Sequence, residues 1–166
     1  MQLLVLQNKL HASIESTVNL KVTHLIVAPS SDQLAPRTMK YLMALALRCY
    51  IVSFEWVLAC ISAGHFVDES PYLVLGDKIA QGAPATIIKQ RDQPRLFEGY
   101  SMYLFGNIAE QLPELEKLIN FGGGRVITEI PVATSINDLL SQKRLVIWYA
   151  KFGFSWYNSN TKSLLL

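Results

Sequence analysis

Within four residues the chain sets a guanidinium, a hydroxyl and an ammonium, in Arg37-Thr38-Met39-Lys40. The pattern predicts a helix from Arg37 to about Leu47, opened by Pro36, because a proline in the first turn forfeits no hydrogen bond. A helix amino end offers unpaired N–H groups and a partial positive charge, which together favour an anion. A hydroxyl adds a directed donor and an ammonium a charge-assisted one. Two cations at that end are mildly unfavourable, by up to about 1 kcal/mol, and with no acid among them they point to an anionic guest. The plainer reading is a solvated helix start.

Other reactive side chains read as structural. His24 lies inside the apolar run Val22–Val27 and has no carboxylate or nucleophile beside it in sequence, so it reads as a hydrogen-bonded structural histidine rather than a base. Glu114 and Glu116 fall on different faces of one helix and read as solvated, not as a paired acid. Gly122-Gly123-Gly124 is not followed by the lysine and hydroxyl of a phosphate loop, and no dinucleotide fingerprint precedes a helix. Cys49 and Cys60 stand eleven apart without a Cys-x-x-Cys pair, which favours reduced, buried thiols over a metal site or a disulfide. Trp56 shares an apolar helix face with Val57 and Cys60 and reads as core. No catalytic residue, metal ligand or cofactor is expected.

The elements that would position these residues follow from periodicity. Of 166 residues, 51% are apolar and 17% charged, enough for a packed core. The net charge of +2 is too small to argue for direct nucleic-acid binding. The apolar start lacks a basic leader region, and no apolar run approaches the roughly 20 residues of a membrane span, so a soluble intracellular protein is expected. Gln2–Leu10 suits a short helix or a strand; we place a helix there. Val22–Val27 and Tyr50–Ser53 read as buried parallel strands, and Phe54–Ile61 as a helix stopped by Gly64. Polar and turn-forming residues from Gly76 to about Pro94 suggest a linker. A strand at Tyr100–Phe105, a helix at about Leu112–Asn120 and a strand after the glycines complete the pattern. This is an α/β chain with helices on the faces of parallel sheets.

The segments Val22–Val27, Arg37-Thr-Met-Lys-Tyr-Leu42, Tyr50-Ile-Val-Ser-Phe-Glu-Trp-Val57 and Pro94-Arg-Leu-Phe-Glu-Gly-Tyr100, with the glycine turn, resemble the tandem BRCT-repeat family over about residues 1–130. The resemblance implies a first repeat at 1–76, a linker at 77–95, a partial second repeat at 96–143 and an atypical tail at 144–166. It implies a scaffold that reads a phosphoserine peptide in the nuclear DNA-damage response. Its partners would be a phosphorylated protein and a RING-containing or chromatin-associated, ubiquitin-ligase-linked complex, without membrane. On that pattern Thr38 and Lys40 hold the phosphate. Arg37 holds the peptide backbone near the third position after it, Leu42 walls the side chain there, and Leu112 is the counterpart from the second repeat.

Two departures accompany the resemblance. The family's first strand, with its Ser/Thr-Gly phosphate turn, should precede Gln2–Leu10. In the family strand order 2-1-3-4 its loss strips an interior ladder of partners. The family's closing strand and Trp-bearing helix are not matched after about Asp138, where only one strand is expected within Leu139–Ala150. The expectation is a fragment or an imperfect gene model. A phosphate-independent interaction module and a small α/β enzyme are the competing readings; fold class alone gives the second no support.

Overall fold

The computed structural model describes residues 2–106, 110–132, 135–150 and 153–156. They divide into two compact units, residues 1–93 and 94–166.

In the first unit the chain runs α1 (Gln2–Leu10), β1 (His24–Val27), α2 (Met39–Ala46), β2 (Tyr50–Ser53) and α3 (Phe54–Ala63). A 3-10 turn at Ser70–Tyr72 and α4 (Ala83–Lys89) follow. β1 and β2 pair in parallel, His24 beside Tyr50 through Val27 beside Ser53. Side chains alternate along a strand, so β2 feeds two cores. Ile51 joins Tyr41, Ala44, Cys49 and Val74. Val52 joins Leu6, Trp56, Val57 and Cys60, which seats α1 against α3. The Trp56 indole N–H donates to the Val67 carbonyl at 3.0 Å, satisfying the one polar atom of that ring. Both cysteines are free and buried.

Three boundaries differ from the sequence reading. β1 starts at His24, because Val22 closes a turn through its amide onto Asn19. α2 starts at Met39, because Thr38 has extended backbone and caps it, which leaves Pro36 and Arg37 ahead of the helix. The stretch read as linker contains α4: Pro84 sits in its first turn, where no donor is lost, and is buried. Gly64 ends α3 in the left-handed conformation, as its position suggested. Among the described residues the far edge of β1 carries no strand, where the sequence reading places the missing first strand. The edge is only four half-buried residues long, which limits the number of unpaired groups.

The second unit contains β3 (Ser101–Gly106), α5 (Leu112–Phe121), β4 (Arg125–Ile127), α6 (Ile136–Ser141), β5 (Arg144–Ala150) and β6 (Gly153–Trp156). The sheet order is β4-β3-β5-β6, parallel across the first three strands, with β6 antiparallel to β5. Met102, Leu115 and Ile119 are its buried large apolar side chains among the described residues. The glycine turn accounts for the Leu96-Phe97 junction: a side chain at Gly122 would run into the Phe97 ring, one at Gly124 would press on Ile119 and the Phe97 Cβ, and Gly123 holds φ +87°. The strand expected within Leu139–Ala150 is β5, and α6 occupies the residues before it. The last ten residues of the expected tail lie outside the described ones.

Candidate functional site

Thr38 is the amino cap of α2. Its Oγ1 accepts from the Tyr41 amide at 3.2 Å, and its carbonyl accepts from the Leu42 amide at 3.0 Å. The cap consumes a lone pair and leaves the hydroxyl proton free to donate. Among the described residues the Met39 and Lys40 amides meet no protein acceptor, as expected for the first turn of a helix. Thr38 and Lys40 are both exposed. The Lys40 ammonium gives one of its three donors to the Ser16 carbonyl at 3.0 Å, which brings the chain ahead of β1 alongside the helix start. Hydroxyl, ammonium and two amides therefore share one exposed helix end.

Arg37 corrects the sequence reading. Its guanidinium is not an unpaired cation: it meets the Asp77 carboxylate at 2.7 Å. Asp77 is fully buried, while the Arg37 side chain remains 42% exposed, so one arm is anchored and the rest of the fork faces solvent. The other Asp77 oxygen accepts the amides of Ile79 at 2.7 Å and Ala80 at 2.9 Å. Burial is the largest single influence on this carboxyl and pushes its pKa up. The two amide bonds and the Arg37 guanidinium together outweigh burial and hold the pKa below the ordinary value. Tyr41 lies close by, fully buried, and its hydroxyl has no hydrogen-bond partner among the described residues. Burial first, then the Asp77 charge, raise its pKa to about 12, against a lowering by Arg37. With Asp77 counted, Lys40 is the one of the two cations without an acid among the described residues, which narrows the charge argument for a guest to that residue and the amides.

Leu42 is half-buried and packs against the Tyr41 core, so part of its side chain is spoken for. Leu112 opens α5 in the second unit, half-buried, with Pro113 behind it in the first turn. Asp77 was missed by sequence reasoning. Its local signal, an Asx-type turn two residues ahead of Ile79, was legible; its pairing forty residues back to Arg37 was not.

His24 is structural, with a partner that the sequence did not show. Its Nε2 lies 3.0 Å from Glu69 Oε1 and its Nδ1 2.8 Å from Thr23 Oγ1. The order hydroxyl, imidazole, carboxylate is that of a nucleophile, base and orienter. The imidazole, however, is stacked between Trp56 and Tyr50, with centroids 4.5 and 5.2 Å away. A ring clamped on both faces acts as a spacer in the packing rather than a swinging base. Among the described residues no three His, Cys, Asp or Glu side chains gather to hold a metal ion, and no helix is long and apolar enough to cross a membrane.

Residues 7–61 match the family model of the BRCA1 C Terminus (BRCT) domain. The chain is 30% identical over 141 residues to the BRCA1-associated RING domain protein 1 of Arabidopsis thaliana, covering 82% of this chain and 20% of that protein. It is 27% identical over 130 residues to the breast cancer type 1 susceptibility protein homolog of Rattus norvegicus, covering 76% of this chain and 7% of that one. It thus spans about a fifth or less of these relatives. Among solved structures it is similar to the S. pombe Brc1 BRCT5-BRCT6 domains, with TM-score 0.59 and 25% identity over 85% of this chain and 68% of that chain. No catalytic family is indicated by these matches. With α/β units of this kind and a matched domain in the first of them, the chain belongs to the BRCT family.

Proposed function

We propose that the chain is a phosphoserine-peptide-binding scaffold module of the nuclear DNA-damage response, within a ubiquitin-ligase-associated complex. The observation that supports this reading is the head of α2, where the Thr38 hydroxyl, the Lys40 ammonium and the Met39 and Lys40 amides, which meet no protein acceptor among the described residues, follow one another in the chain. A phosphate monoester carries about −1.5 to −2 charge and three acceptor oxygens, which suits that donor set. Arg37 is steadied by Asp77 and keeps exposed donors for a peptide carbonyl, and Leu42 offers the exposed part of its side chain as an apolar wall. Leu112 enters this proposal from the family resemblance alone. Nuclear location and the ubiquitin-ligase link rest on the relatives, whose names include a RING domain protein.

A phosphate-independent interaction module is the second reading, favoured by the Lys40 bond to Ser16, which already occupies one donor. The two are separated by titrating the chain with a phosphoserine peptide bearing phenylalanine three residues later, and with its unphosphorylated twin. A clear preference for the phosphorylated peptide supports our reading. Equal affinity supports the alternative.

A further inference from the structure

A second basic feature lies in the second unit. Ser101, the first residue of β3, sits in register between Arg125, the first of β4, and Arg144, the first of β5. Residues paired across strands send their side chains to the same face of the sheet, so the three form a row, arginine–serine–arginine. Strand spacing sets the outer two about 10 Å apart at their Cα atoms, a gap that two arginine side chains can close from either side onto one small ligand. Ser101 is buried, and its Oγ accepts from Arg125 Nε at 2.8 Å, which fixes that guanidinium and leaves its terminal fork free. Both arginines are exposed, and among the described residues neither has a carboxylate partner. They open on a cleft of about 480 Å³, whose apolar wall is formed by Val126, Ile127, Ile130, Pro131 and Val132.

We propose that this cleft binds a phosphate monoester carried next to an apolar group. Two unpaired guanidiniums match a compact dianion, because each can present a planar pair of donors to its oxygens. The exposed Ile130 and Val132, 67% and 88% accessible, supply a wall for the group that bears the phosphate. The site is distinct from Leu112: the row marks the amino ends of the strands, whereas Leu112 follows the carboxyl end of β3. Glu129 also lines the cleft and opposes an anion, so it tunes the affinity downward.

The test titrates the whole chain with inorganic phosphate, phenyl phosphate and a dinucleotide, following the arginine side-chain signals by nuclear magnetic resonance. Phenyl phosphate should bind more tightly than inorganic phosphate and should shift Arg125 and Arg144. Arg144→Gln should weaken it about tenfold or more, the loss expected for a charge-assisted bond. Arg125→Gln should do the same, and Glu129→Gln should strengthen binding. Because the readout is the shifts of Arg125 and Arg144 themselves, binding at the head of α2 does not enter it. Because Arg125 also anchors Ser101, Arg144→Gln, which breaks no side-chain bond among the described residues, decides the matter if Arg125→Gln misfolds. Unchanged affinity in Arg144→Gln overturns the proposal. So does a dinucleotide, whose diester carries one charge, binding as tightly as phenyl phosphate.

Discussion

Replacing Asp77 with alanine removes the anchor that aims Arg37, and its cost can be worked from the contacts. Two backbone amides donate to the carboxylate, each bond to a charged group contributing about 1.5 kcal/mol at the low end. The Arg37 pair is discounted to about 0.5 kcal/mol, because that side chain remains 42% exposed and water replaces the lost partner. Relief of the buried charge offsets a part, so alanine should destabilise the chain by about 3 kcal/mol. Asp77→Asn keeps a neutral acceptor for the amides and should cost roughly half as much. Urea unfolding followed by circular dichroism measures both. The carboxyl pKa is depressed in the folded state, so its contribution is complete above the unfolded value of about 3.9 and is lost as pH falls through the folded one. The gap between native chain and Asp77→Asn should therefore hold steady from neutral pH down to about 4.5 and close below it. An alanine cost under about 1 kcal/mol, an asparagine as damaging as alanine, or a gap that widens on acidification would refute the reasoning.

Further expectations concern the core and the glycine turn. Trp56→Ala empties a buried site and breaks the bond to Val67, and should cost about 3–5 kcal/mol in the same unfolding assay. Tyr41→Phe removes a buried hydroxyl that bonds to nothing among the described residues, so stability should be unchanged or rise by up to about 1 kcal/mol. Gly123→Ala should destabilise by about 1–2 kcal/mol, since alanine resists a φ of +87° and its methyl group would meet Glu98; thermal melting reads this.

Much of the fold was legible because local rules and tertiary packing agree in these segments. Tyr50–Ser53 is a β-branched run cut by a Trp-bearing helix, and the structure holds it at those residues. Gly64 and the glycine turn announced their backbone needs. Pro36 misled by two residues, because the threonine two positions on makes a better cap than the proline makes a first turn. The polar stretch after Gly76 read as linker because its buried members, Asp77 and Pro84, are residue types that usually sit outside. At the site, Thr38 and Lys40 were legible as a cluster, but the acid that answers Arg37 lies forty residues away, and Glu69 lies forty-five from His24. Pairings at that distance leave no periodic trace. The arginine row of the second unit was equally hidden, since it exists only once three strands are in register.

The most direct test is the affinity of the native chain and of Lys40→Met for the same phosphoserine peptide, with thermal melting measured alongside. Losing one charge-assisted bond to a phosphate should weaken binding by about tenfold or more, while melting stays put because Lys40 is exposed and its ammonium bonds, among the described residues, the Ser16 carbonyl alone. Equal affinity in the two proteins at equal stability would contradict an anion seated at the head of α2.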